Sequence, residues 1–300
     1  ETKVKEQEYN MIQVGSVDIK NGKEVINATL NFKERQDPNE KKNTTFNLKK
    51  SEEKRFTESA PKPHITSSIQ QTMNRENGWS PKKTMSVLQS LFTKGMITYI
   101  RTDSYSLDPE FSKTVKTFLK SKYKEYENKR KVANSQEGHE AIRPTNVIKR
   151  NISGTPDEQK LYRKLWIGAI CCHMNNSSGI QQIFDIEDSE GLIWKSTHKV
   201  YVNMGWKDIA GTNGCSREKL RLKLKNATFK KMLITEKPNN IIHMWKLADL
   251  LKKLDSLGIG RPSTYSTICE SIVEKGYIDI KDYQHEAKKN IILIDDKKKI

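Results

Sequence analysis

The sequence predicts a multidomain α+β protein in which a helical segment is inserted into a β domain. Three observations predict it. The chain has 300 residues, more than one usual hydrophobic core holds. Its apolar patterning passes from strand-like alternation to helical periodicity, back to alternation, and again to helix. Pro and Gly signals fall at those changes. The boundaries are expected at 1–58, 59–179, 180–239 and 240–300.

Residues 9–34 alternate, and Asn21-Gly22 within them is the strongest short hairpin signal. Residues 35–56 are rich in charge, Asn and Lys, and read as surface strand and loop. Pro61 and Pro63 mark the first boundary. Ser80 and Pro81 read as N-cap and N1 of a helix with Met85, Leu88, Leu91 and Phe92 on its apolar side, ended by Gly95. A strand carrying Tyr99 is expected next. Asp108-Pro109 opens another helix, with Phe111, Val115, Phe118 and Leu119 on one face. Thr155-Pro156-Asp157-Glu158 is a capping box with proline at N1, starting a helix that carries Leu161, Leu165 and Trp166. Alternation returns over 180–235, as in Lys199-Val200-Tyr201-Val202. A helix from near Trp245 carries Leu247, Leu250, Leu251 and Leu254, and Gly258-Ile259-Gly260 breaks it. Tyr265, Ile268, Cys269, Ile272 and Val273 then form a helical stripe closed by Gly276.

Hydrophobic residues make up 34% of the chain and charged residues 30%, with a net charge of +17. That is polar, yet too patterned for disorder. A Lys- and Asn-rich composition of the kind an AT-rich genome produces gives such a charge, and so does a polyanionic partner whose phosphates Lys and Arg neutralise. Cys171, Cys172, Cys215 and Cys269 form no C-x-x-C pair, which excludes zinc ribbons from this span. They do not resemble a disulfide framework either, so a reducing, cytoplasmic compartment is expected. No apolar run reaches the length of a membrane span. Glu1 in place of Met predicts that the chain begins inside a longer protein.

Three stretches carry the chemistry. Residues 95–104 read Gly-Met-Ile-Thr-Tyr-Ile-Arg-Thr-Asp-Ser. In an extended segment, residues two apart project to one side, so Tyr99 and Arg101 can address one target. A phenol is a nucleophile for a phosphodiester, and a guanidinium holds the phosphate and stabilises its developing charge. An edge strand whose Tyr and Arg merely face solvent has the same local pattern. Residues 136–145 read Gln-Glu-Gly-His-Glu-Ala-Ile-Arg-Pro-Thr, and residues 257–265 read Leu-Gly-Ile-Gly-Arg-Pro-Ser-Thr-Tyr. In the third stretch two glycines give a tight turn, and Pro262-Ser263-Thr264 open a helix whose free N–H groups suit phosphate.

Together, in this order and spacing, the three stretches resemble the motifs of type IA DNA topoisomerases of the bacterial topoisomerase I branch. The resemblance covers nearly the whole chain, weakly between the motifs. It implies a toroidal core. A β arch, built from residues up to 58 and from 180–239, carries an inserted, winged-helix-like domain bearing the tyrosine. A helical DNA-binding base domain follows over 240–300, and the segment before the arch ends that same base. The implied activity is ATP-independent relaxation of negatively supercoiled DNA through a 5′-phosphotyrosine link.

By the same resemblance Tyr99 is the nucleophile and Arg101 its phosphate-binding partner. Thr102 and Ser104 can bond backbone phosphates. Asp103 can order Arg101 or cap a turn. His139 is placed near the scissile or a neighbouring phosphate. Arg143, on extended backbone before a proline, can contact phosphate or pair with Glu140. Arg261, Ser263 and Thr264 fall at a DNA-backbone contact, and Lys275 at a position that is often basic. Gln89 falls where the family places a strand-binding glutamine. Tyr105, Trp79 and Tyr265 are candidates for base stacking. Core packing suits Tyr265 better, and a hydrophobic staple suits Trp79 better.

The family's Mg²⁺ site lies in an N-terminal Toprim domain, and no acidic cluster of that kind occurs here. Asp185, Glu187, Asp188 and Glu190 come closest, but they read as a strand running into a hairpin turn. The resemblance is therefore to a fragment without its Toprim domain, with a single-stranded stretch of DNA as partner. A bacterial or a viral source fits the composition equally. A single-stranded DNA-binding module without catalysis is the alternative reading.

Overall fold

The computed structural model describes residues 11–123, 139–238, 245–278 and 291–294. The first hairpin forms where Asn21-Gly22 places it. β1 (Met11–Asn21) and β2 (Glu24–Asn31) pair antiparallel, with Asn21 opposite Glu24 and Gly22 at φ +64°. β3 (Phe46–Glu58) lies next to β4 (Ser177–Asp188), and β5 (Ile193–Asn203) follows. With β6 (Phe229–Pro238) and β7 (Ile291–Ile294) these make one antiparallel sheet in the order β3-β4-β5-β2-β1-β6-β7.

Glu58, the last residue of β3, pairs with Ser177, the first of β4. The chain therefore leaves and re-enters the sheet at one place, and the intervening helices hang from that pair. They are α1 (Thr66–Asn77), α2 (Pro81–Thr93), α3 (Pro109–Lys122) and α4 (Pro156–Cys171). Local chemistry explains their starts. Ser80 accepts from Lys83 N (3.1 Å), and Asp108 accepts from Phe111 N (2.8 Å). Thr155 accepts from Glu158 N (3.2 Å) while Glu158 accepts from Thr155 N (2.9 Å), the expected reciprocal cap. Leu88, Leu91, Leu119, Leu161 and Trp166 are buried together as the core of this insert. A separate core on the sheet gathers Phe46, Phe184 and Met232 around Trp194. Trp194 packs edge-on to Phe32 and Phe46, and its Nε1 donates to Asp188 (2.9 Å).

After β5 come a single turn, α5 (Lys207–Ala210), and then β6. Beyond β6, α6 (Leu247–Ser256) and α7 (Tyr265–Glu274) pack through Leu251, Tyr265 and Cys269. Among the described residues no helix is long and apolar enough to cross a membrane. Among the described residues no disulfide joins Cys171, Cys172, Cys215 and Cys269.

Three expectations need correction. The expected strand at Tyr99 is only one bridge, Ile97 opposite Pro144. The bonds of that bridge, Thr98 N to Arg143 O (2.9 Å) and Thr145 N to Met96 O (3.0 Å), flank the pair, and the ladder stops because Arg143 N donates to Thr98 Oγ1 (3.0 Å) and not to its carbonyl. Residues 240–300 are not helical throughout, because β7 joins the sheet beside β6; its source is the apolar run Ile291-Ile292-Leu293-Ile294. The helix expected to open at Pro262-Ser263-Thr264 is preceded there by a turn, in which Thr264 N and Tyr265 N both donate to Arg261 O (2.8 and 3.2 Å). The helix itself begins at Tyr265. Of the second motif, Gln136, Glu137 and Gly138 lie outside the described residues, as do Tyr9 and Asn10 of the first alternating run.

The junction between sheet and insert is held by charge. Glu58 takes Lys199 (2.7 Å), Lys207 (2.8 Å) and the Tyr201 hydroxyl (3.1 Å). Hydrogen bonds from Lys199 and Lys207 hold its carboxyl down at about 2, well below the usual 4.5. A depressed acid stabilises the fold at pH above its unfolded value, and that contribution fades as pH falls through the folded value. The urea midpoint should therefore drop as pH goes from about 4.5 toward about 2. Glu58→Gln should have the lower midpoint at neutral pH and a shallower drop. Parallel curves for the two proteins would show that the junction contributes nothing to the acid sensitivity.

Candidate active site

Tyr99 and Arg101 are exposed, and Ile100 between them is buried. Tyr99 is 55% exposed, with its ring edge-on to Phe92 of α2 at 5.8 Å. The alternation that puts both side chains outward is thus present without a full strand. Gln89 is exposed one turn before Phe92 on the same face of α2, with its amide on Thr93 Oγ1 (3.3 Å).

The loop is pinned from beneath by α1. The buried Thr66 donates its hydroxyl to Ile100 O (2.7 Å) and accepts from Thr102 N (2.9 Å), while its own N–H donates to Thr102 O (3.0 Å). These bonds bracket Arg101. Thr102 is buried, and its hydroxyl accepts from Ser104 N (3.1 Å); Ser104 Oγ in turn accepts from Ser106 N (3.2 Å). Both hydroxyls thus shape successive turns. Asp103 is exposed.

The second motif is stitched onto the first. Thr98 N donates to Arg143 O (2.9 Å), Arg143 N to Thr98 Oγ1 (3.0 Å), and Thr145 N to Met96 O (3.0 Å). Ala141 N reaches Ser106 O (2.8 Å). His139 is exposed, two residues from Ala141, whose carbonyl accepts from Thr98 Oγ1 (3.2 Å). Of the two partners open to Arg143, the structure has Glu140. Nε lies 2.7 Å from its carboxylate, with the guanidinium over the Phe111 ring. Glu140 also accepts from Asp108 N (3.2 Å), so the pair ties the motif to the start of α3.

The third motif is tied to α1 through Asp255. The Tyr265 hydroxyl donates to Asp255 (2.9 Å), and so does Ser67 of α1 (3.2 Å). Burial pushes the Tyr265 phenol up to about 12, with Asp255 adding and Asp103 contributing from the first motif. Arg261 turns its guanidinium onto Gly260 O (2.8 Å) and Gly258 O (3.3 Å), and Thr264 Oγ1 accepts from Arg261 N (2.8 Å). Ser263 is exposed beside them. Lys275 lies at the far end of α7, about 16 Å along the helix axis from Thr264, so it is not gathered with the others. Of the three aromatics, Tyr105 is 40% exposed under Lys62 (5.4 Å), whereas Trp79 and Tyr265 are buried.

Thr66, Ser67 and Asp255 were missed in the sequence. Their signal was weak: a Thr-Ser-Ser run after Pro63, before an apolar residue, is an ordinary helix start.

The carboxylates at 185–190 do not fit a magnesium ion. Asp188 accepts from Trp194 Nε1, Glu190 N and Leu192 N, Glu187 pairs with Lys49, and Glu190 pairs with the buried Lys41. Among the described residues no group of three His, Cys, Asp or Glu side chains is placed to hold a metal.

The antiparallel sheet and its helical insert have the architecture of a type IA topoisomerase core. A DNA topoisomerase family model matches residues 2–295, and the chain belongs to that family, as a bacterial topoisomerase I-like protein. DNA topoisomerase 1 of Buchnera aphidicola subsp. Schizaphis graminum is 34% identical over 286 residues, covering 90% of this chain and 32% of that protein. DNA topoisomerase 1 of Rickettsia bellii is 32% identical over 289 residues, covering 85% and 35%. Full-length topoisomerase I from Thermotoga maritima shares the fold, with a TM-score of 0.70 at 23% identity over 91% of this chain and 48% of that one. The chain thus spans about a third of the length of these relatives and about half of the solved structure.

Proposed function

We propose that this chain is the strand-cutting and strand-holding part of a DNA topoisomerase that relaxes negatively supercoiled DNA without ATP. The observation that carries the reading is the exposed Tyr99 and Arg101 pair on a loop pinned on both sides of the arginine. The Tyr99 phenol oxygen attacks phosphorus in one strand. A P–O bond forms to tyrosine, the bond to the 3′ oxygen breaks, and the phenol proton is lost as the 3′ oxygen leaves as a hydroxyl. The product is a 5′-phosphotyrosine ester, whose bond energy is close to that of the diester, so attack by the 3′ hydroxyl reverses the step after strand passage.

Arg101 holds the scissile phosphate and neutralises its developing charge. His139 and Ser104 border the same loop and contact neighbouring phosphates. Thr102 and Asp103 hold the shape of the turn. Arg143 acts through Glu140 to keep the second motif in place. Arg261, Ser263 and Thr264 take the DNA backbone farther along, with Gln89 of α2 holding the strand near Tyr99 and Lys275 adding general charge. Mg²⁺ and a proton donor for the 3′ oxygen belong to a Toprim domain supplied in cis or in trans, and no step above is routed through this chain's carboxylates.

Residues 1–300 alone are expected to bind a single-stranded oligonucleotide and to leave supercoiled plasmid unrelaxed, with or without Mg²⁺. Gel assays of binding and relaxation on the same preparation check this. Strong Mg²⁺-dependent relaxation would place a metal site inside the chain and contradict the division of labour. Binding that persists without any cleavage after a Toprim domain is supplied would favour a DNA-binding module instead.

A further inference from the structure

Between α5 and β6 the chain reads Arg217-Glu218-Lys219-Leu220-Arg221-Leu222-Lys223-Leu224-Lys225, with a cation at every second residue. Folding gives that alternation two sides. Leu224 is buried in the sheet core and Leu220 and Leu222 pack against it, whereas Arg217, Lys219, Arg221, Lys223 and Lys225 are exposed. Residues two apart on extended backbone share a side and lie about 6.6 Å apart, so the five cations make one row about 26 Å long.

The row runs along the sheet. At one end Tyr201 N donates to Ser216 O (2.8 Å), beside the Glu58 junction from which the insert hangs. At the other, where β3 begins, Phe46 N and Ala227 N donate to each other's carbonyls (2.9 Å each). Side chains fix the backbone between. Gln182 bonds both the N–H and the carbonyl of Leu220 (2.8 and 3.3 Å). Asn21 accepts from Lys223 N (2.9 Å) and donates to Arg221 O (3.0 Å). Leu48 N donates to Leu224 O (3.2 Å). The cations therefore project from a preorganised support.

Their charge is not cancelled evenly. Arg217 lies 3.9 Å from Asp208, Lys219 pairs with Glu53 (2.8 Å), and Glu24 and Glu218 border Lys219 and Arg221. Among the described residues the side chains of Arg221, Lys223 and Lys225 form no ion pair or hydrogen bond. The neighbouring edge strand β3 is built differently: its Glu52 takes Lys50 (3.6 Å) and Lys54 (3.2 Å), so opposite signs meet within the strand. Like charges in a fixed row repel, and a polyanion of matching spacing removes that cost.

We propose that Arg221, Lys223 and Lys225 form a track for the phosphate backbone of single-stranded DNA, on the sheet and outside the three motifs. One cation meets one phosphate of an extended strand. A duplex winds its phosphates off a straight line and meets fewer of the three. The proposal rests on the reading of this chain as a holder of single-stranded DNA and gives that reading a second site. Its test reads binding alone, with no part played by Tyr99 or Arg101.

The experiment follows a fluorescent oligothymidylate by anisotropy as it binds the full chain over a series of salt concentrations. The triple variant Arg221→Gln, Lys223→Gln, Lys225→Gln removes three charges from exposed side chains that hold nothing else in the fold. Each phosphate neutralised on a single strand contributes about 0.7 to the slope of log K against log salt. Three lost contacts should make that slope shallower by about 2 and lower affinity at ~0.1 M salt on the order of 10²-fold. The triple variant Lys113→Gln, Lys120→Gln, Lys122→Gln takes the same charge from exposed positions on α3 and should change the slope by less than one contact. Equal changes in the two triple variants would reduce the row to general surface charge, and an unchanged slope in the first would remove DNA from it; either result overturns the track. A loss as large on a duplex of the same length would overturn the single-strand assignment. If the unsubstituted chain binds no oligothymidylate, the strand-holding reading falls and the track with it, a result distinct from loss of the track alone.

Discussion

Tyr99→Phe should abolish the covalent protein–DNA adduct in the enzyme completed with its Toprim domain, while binding of single-stranded DNA survives. The substitution keeps the ring, its edge-on contact with Phe92 at 5.8 Å and its exposed position, and removes only the attacking oxygen. Denaturing gels of enzyme incubated with a labelled oligonucleotide read the adduct, and a filter assay reads binding. An adduct of undiminished yield in the phenylalanine variant would remove Tyr99 from the chemistry. Loss of binding together with the adduct would mean that the hydroxyl is needed to hold DNA, and the missing adduct would then not report on attack.

Arg101→Ala should lose on the order of 10²-fold or more in single-turnover cleavage, the scale on which removal of one transition-state donor acts. Affinity should fall far less. Arg101 is exposed beside Tyr99, and the backbone at 100 and 102 is bonded to Thr66, so truncation leaves the loop intact. Lys49 is the control. It lies on β3, paired with Glu187 at 2.7 Å, and Lys49→Ala should leave cleavage unchanged and shift affinity slightly, in a salt-sensitive way. Similar behaviour of the two variants at two salt concentrations would make Arg101 part of a general basic surface.

Much of the local structure was legible because its causes are local. Ser80, Asp108 and Thr155 start helices with their own side chains, and Asn21-Gly22 turns a hairpin within four residues. The pairing of β1 with β6, some 200 residues apart in the chain, was not legible. A strand's partner is chosen by packing on its two faces, which no local pattern encodes. The same division runs through the site. Tyr99 and Arg101 stand out because their side chains carry the chemistry. Thr66 and Asp255 do not, because they act on a loop backbone and on neighbouring helices that only the fold brings near. Arg143 was ambiguous for a related reason: phosphate and carboxylate compete for one guanidinium, and the position of Glu140 on the α3 cap decides which it meets here.

The most direct test is to map the adduct. Oligonucleotide trapped on the completed enzyme is trimmed with nuclease, the protein is cut with trypsin, and the modified peptide is sequenced by mass spectrometry. Cleavage after Lys94 and Arg101 isolates a peptide in which Tyr99 is the sole tyrosine. The account predicts a nucleotide joined to Tyr99 of that peptide through its 5′ phosphate. A nucleotide on Tyr105 or Tyr265, or one attached through a 3′ phosphate, would contradict it.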